Sequence, residues 1–145
     1  MHYGLDCQRR LDVSPRAASR ALLQMRVTGD FHRRWSLGSR GSFEIDGDVV
    51  ELETHAHRTH AIHLPGRVWS PNGSHMARVD AEVHSVMGET DDAVEVTVSP
   101  AQRLPEWFRA NEHVAWLAIA QAALDELCEE VLWRASRDEP AATAS

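Results

Sequence analysis

The hydrophobic rhythm of this chain changes once, near Leu104, and that change restricts the folds open to it more than any other feature. Beyond Leu104 the apolar residues recur every three or four positions, as an amphipathic helix requires. On a helical wheel His113, Leu117, Ala120, Leu124, Leu127 and Val131 share one narrow face, and Trp116, Ala123 and Cys128 widen it. Asp125, Glu126 and Glu129 lie opposite. The spacing predicts a helix from Pro105 to about Arg134. A helix with a single apolar stripe must lay that stripe on a second layer of structure.

The second layer is written upstream, where apolar and polar residues alternate. Leu5, Cys7, Leu11 and Val13 fall on one side of a first strand, with Arg9 as the charged intruder. Ser14-Pro15 then reads as an N-cap followed by a first-turn proline, opening a short helix through Ala21-Leu22-Leu23. Phe31 to Trp35 suggests one more helical turn. Phe43 and Ile45 start the next strand, and Asp46-Gly47 signals a tight turn into another. That one sets Val50, Leu52, Thr54 and Ala56 against Glu51, Glu53, His55 and His57. Ala61 to Leu64 continue as a strand that Pro65-Gly66 bends or interrupts before Val68 and Trp69. Pro71-Asn72-Gly73 turns the chain again. Ala77, Val79, Ala81 and Val83 alternate cleanly, as do Val94, Val96 and Val98, and Pro100 ends the series. Short strands joined by turns make an antiparallel sheet. The expected class is α+β: a curved antiparallel sheet of about six strands wrapped around a long C-terminal helix, with short helices after the first strand. One domain is expected over residues 1–137, with a disordered tail over 138–145.

Four segments resemble the START-like, or SRPBCC, superfamily, whose architecture is the helix-grip fold. They are Arg10-Leu11-Asp12-Val13-Ser14-Pro15; Ala21-Leu22 with Trp35 downstream; Gly41-Ser42-Phe43 with Asp46-Gly47; and His113-Val114-Ala115-Trp116 in the last helix. Within the superfamily the likeness is to polyketide cyclase/dehydrase-like proteins and to homologues of the activator of the heat-shock-protein ATPase, both bacterial in flavour. Ser19 stands where the pattern often has Trp, Ser36 follows Trp35 in place of a second Trp, and Ala115 replaces a Gly. The resemblance implies a cavity between sheet and final helix that holds a hydrophobic ligand.

Composition bears on what such a domain can contact. The net charge of -7 argues against nucleic acid, whose binding draws on clustered Lys and Arg, and against anionic membrane surfaces. Met1 to Arg10 has no apolar core of a signal peptide, and no apolar run has the length of a membrane span. Two cysteines, Cys7 and Cys128, fit buried thiols in a reducing compartment, so a cytoplasmic setting is expected. Phosphate loops, Cys-x-x-Cys and nucleophile elbows are missing from the sequence, and no cofactor is expected.

Two residues are candidates for catalysis. His113, central in the apolar stripe, can act as general acid or base, or be a core histidine bonded to a carbonyl. Arg9, on the inward parity, can hold a substrate anion or enolate oxygen, or snorkel out at the sheet edge. Trp35, Phe43, Trp69, Trp107, Phe108, Trp116 and Leu117 are the candidate ligand-lining residues, with ordinary core packing as the alternative. His55 and His57 share a strand face with Glu51 and Glu53 and are weak metal candidates beside a plain solvated face. The expected function is binding of a hydrophobic small molecule, with cyclase or dehydratase activity on a polyketide-like substrate as an extension. Alternatives are a non-enzymatic, co-chaperone-like interaction domain, and metal binding through His55 to His63. A homodimer stays open.

Overall fold

The computed structural model describes residues 5–28, 34–45, 50–54, 59–85 and 93–138. Chain order is β1 (Cys7–Leu11), α1 (Pro15–Thr28), β2 (Arg34–Ser36), a 3-10 turn (Gly38–Arg40), β3 (Ser42–Ile45), β4 (Val50–Thr54), β5 (Thr59–Trp69), β6 (Met76–Ser85), β7 (Val94–Pro100) and α2 (Glu106–Asp138). The strands form one antiparallel sheet in the order β1-β7-β6-β5-β3-β2, with β4 also on β5. The sheet curls into a half-barrel and α2 packs against it, so the helix-grip architecture is present.

Local chemistry explains several boundaries. Ser14 Oγ accepts from the Ala17 N–H at 3.1 Å, which caps α1 ahead of Pro15. The β5–β6 hairpin closes through Gly73 N–H to Ser70 O (2.9 Å), with Asn72 Oδ1 accepting from Ser70 Oγ and from the Ser74 N–H. One face of the sheet is uniformly buried: Phe43 and Ile45, Leu64 and Val68, Val79 and Ala81, Val96 and Val98. Against it α2 presents Trp116, Ile119, Ala120, Ala123, Leu124, Leu127, Cys128 and Val131, all buried. Helix α1 adds Leu22 and Met25 to the same core.

The structure corrects five expectations. The sequence Pro65-Gly66 does not interrupt its strand; β5 runs unbroken through both. Pro65 falls between Gly66, paired with β3, and His63, paired with β4, at the changeover between partners. Gly66 lets β3 come close: a Cβ there would lie 2.5 Å from the Glu44 carbonyl oxygen. Asp46-Gly47 does not join a hairpin, because β3 and β4 both pair with β5 and follow one another along it; residues 46–49 themselves lie outside the described ones. Ile45 faces Gly66 and Val50 faces His63, so this edge advances five residues while β5 advances three. The third correction concerns β4. Glu51 is opposite Ile62 and Leu52 opposite Ala61, so Val50 and Leu52 occupy register positions of the outer face, the reverse of the expected sidedness. Fourth, Trp35 stands in a strand paired with Phe43, not in a helical turn. Fifth, α2 starts at Glu106 and continues past Arg134 to Asp138. The rest of the expected tail lies outside the described residues.

Candidate functional site

The described structure has a concavity at the end of the grip where the sheet hands over to α2. Pro100 ends β7, and the Ala101 N–H donates to the Arg78 carbonyl at 3.0 Å, keeping the departing chain beside β6. Leu104 then turns into the core and Pro105 precedes the helix, whose first turn is fastened by Phe108 N–H to Pro105 O at 3.0 Å. Met76, Ala77 and Arg78 of β6 and Gln102, Arg103, Leu104 and Pro105 of this connection surround a cavity of about 190 Å³. Beside it, His75 stacks on Trp107 with ring centres 5.4 Å apart and planes 11° from parallel. Trp107 meets Phe108 edge-on at 4.9 Å. His75 is placed by the hairpin: its N–H donates to Ser70 Oγ at 3.1 Å and its carbonyl accepts from the Ser70 N–H at 2.8 Å.

The charged side chains that line this cavity, Arg78 and Arg103, are both cationic, in a chain whose net charge is negative. Arg67 is the direct cross-strand partner of Arg78. Glu44 lies 3.5 Å from Arg67 and 3.7 Å from Arg34.

The aromatic candidates separate into three groups. Trp107 and Phe108 belong to the corner. Trp35 and Phe43 stack at 5.3 Å inside the core, and Trp116 is fully buried with its indole N–H donating to the Leu5 carbonyl at 2.8 Å. Trp69 lies on the outer face, since Val68 beside it takes the buried side; the Arg34 guanidinium covers its ring at 4.6 Å. Trp69 therefore does not line the space between sheet and helix. Leu117 is 40% exposed, although Leu124, seven residues on along the same stripe, is fully buried.

Arg9 meets α2 well along the helix from the backbone position of His113. Arg9 Nη1 lies 3.5 Å from Asp125 Oδ1, with both side chains nearly half exposed. Asp125 and His113 are twelve residues apart on α2, roughly 18 Å along its axis at 1.5 Å per residue. The His113 side chain, like His55 and His57, lies outside what is described. Elsewhere on the outer face, His63 contacts Asp80 at 3.0 Å and His84 contacts Glu95 at 3.3 Å. Among the described residues no three His, Cys, Asp or Glu side chains converge as metal ligands.

Sequence reasoning missed Met76, Arg78, Gln102, Arg103, Leu104 and Pro105. The available signal was the unpatterned stretch between Pro100 and Pro105, the one place where sheet must become helix. Both thiols are buried; burial pushes the Cys128 pKa up to about 11, opposed by Arg9 and reinforced by Asp125 and Glu129. None of the described helices is long and apolar enough to cross a membrane. No protein-family model matches the chain, and no curated protein is significantly similar to it.

Proposed function

We propose that this protein binds a small, largely apolar molecule at the corner between β6 and the N-terminal end of α2. The cavity of about 190 Å³ walled by Met76, Ala77, Leu104 and Pro105 carries this reading. That volume is below the roughly 300–1,000 Å³ of sites for drug-sized ligands, so it suits a short chain or a single ring. The helix-grip architecture and the resemblance to START-like domains, whose members hold hydrophobic ligands, support it. No catalytic role is proposed, because Arg9 of β1, the anion-holding group such a role called on, meets Asp125 of α2, twelve residues along the helix from His113.

The test uses methionine labelled with ¹³C at its methyl group, since only four methionines are present and Met76 lines the cavity while Met25 is core. Titration with hexan-1-ol, hexanoate and small aromatic acids should move the Met76 signal and leave Met25 in place. A Met76 signal indifferent to every compound sinks the reading.

A second reading, a non-enzymatic interaction domain docking through the outer sheet face, is favoured by one observation. Trp69 lies on that face between Arg34 and Arg67, with an indole nitrogen that is buried yet has no hydrogen-bond partner among the described residues. Cross-linking in a cell extract before and after Trp69→Ala tests it; identical adduct patterns count against it.

A further inference from the structure

We infer that the ligand of this corner carries an anionic head, a carboxylate or a group of similar charge and size, with a short apolar body. The inference rests on the binding reading above and adds the chemistry of its recognition. The cavity is lined by two kinds of residue. Met76, Ala77, Leu104 and Pro105 offer only carbon-rich surface, whereas Arg78, Arg103 and Gln102 offer guanidinium and amide N–H groups. A neutral apolar ligand would make no use of those polar groups. A carboxylate meets them with two acceptor oxygens, and guanidinium matches it in a planar fork.

The surroundings strengthen the positive field. Arg34, Glu44, Arg67 and Arg78 are successive cross-strand partners on β2, β3, β5 and β6, three positive charges to one negative. Glu44 is shared between Arg34 and Arg67. In a chain of net charge -7, such a gathering of arginines on one corner of the sheet is a local reversal of the overall field. The His75–Trp107–Phe108 stack, next in sequence to Met76 and Pro105–Glu106, adds aromatic surface nearby. An amphiphile lying here would set its head toward Arg78 and Arg103 and its chain along Met76 and Leu104.

The experiment compares three probes of one chain length, hexanoate, hexan-1-ol and hexylammonium, by the shift of the Met76 methyl signal. Hexanoate should bind roughly tenfold more tightly than hexan-1-ol, as expected for a charge-assisted pair, and hexylammonium should bind weakest. The preference for the acid should collapse in Arg103→Gln, an exposed position where folding is not at risk, and shrink as sodium chloride is raised. Arg78→Gln is the second variant and should act in the same direction. Equal affinities for hexanoate and hexan-1-ol would overturn the anionic head while leaving the cavity as a binding site. A signal that no probe moves would overturn the binding reading and this inference together. Inorganic phosphate competing with hexanoate would support the inference and show that the head, not the chain, is read.

Discussion

Trp116→Phe separates a structural from a ligand-lining role for the one tryptophan that the wheel placed on the gripping face. The indole is fully buried, and its N–H is the donor to the Leu5 carbonyl at 2.8 Å, just ahead of β1. Phenylalanine keeps an aromatic ring but removes the donor. Losing one buried hydrogen bond costs about 1–2 kcal/mol, and the smaller ring leaves a void worth on the order of 1 kcal/mol. The sum, about 2–3 kcal/mol, corresponds to a Tm lowered by roughly 5–10 °C for a chain of this size. Urea and thermal unfolding followed by circular dichroism measure it. Because β1 is an edge strand whose one sheet neighbour among the described residues is β7, amide exchange should accelerate in β1 more than in central β5. A loss under about 0.5 kcal/mol, or uniform acceleration across the sheet, would refute the claim that this bond ties the first strand to α2.

Four further outcomes follow from particular positions. At Gly41, φ is +133° and an added Cβ would collide with the Trp69 carbonyl oxygen, so Gly41→Ala should cost at least about 3 kcal/mol by urea midpoint. Gly38→Ala, with open space around it, should cost about 1 kcal/mol. The Cys128 thiol loses its proton near 9.0 when unfolded and near 11 when folded. The unfolded state therefore binds fewer protons across that window, and stability should fall by on the order of 2 kcal/mol from pH 9 to 11; comparison with Cys128→Ala isolates the contribution, and a thiol reagent at pH 8 should react only after unfolding. Arg9→Ala should cost less than about 1 kcal/mol, because its partner Asp125 is as exposed as Arg9 itself, and the loss should vanish in high salt.

Features with a local cause were legible before any coordinates. Ser14-Pro15 announced a helix start, and the Ser14 hydroxyl caps it. Pro71-Asn72-Gly73 announced a turn, and Ser70 and Asn72 close it. Alternation through Met76–Ser85 and Val94–Pro100 named the buried side of both strands correctly. The failures are all questions of partner. Asp46-Gly47 has the chemistry of a hairpin, yet β5 offered both flanking strands a longer edge than they offered each other. Leu117 is exposed while Leu124, on the same stripe, is buried, because what covers a stripe at each level of the helix is set by its packing partners. Arg9 had inward parity, but on an edge strand an inward side chain can reach solvent and meet Asp125 there.

The site follows the same division. Trp107 and Phe108 could be assigned to the working end from their place at the start of the helix. Arg78 and Arg103 could not, since they are 25 positions apart in the chain and meet only because Ala101 bonds back to Arg78 as β7 gives way to α2. By itself the sequence determined the two periods, 2 and then 3.6, and with them a sheet that must cover a helix, because periodicity is set by backbone geometry within a few residues. Tertiary structure alone decided which strand lies beside which, which side of Trp69 and Arg9 faces water, and which arginines gather at the corner. Those depend on register between segments far apart in sequence, and a shift of one residue in register exchanges the two faces of a strand.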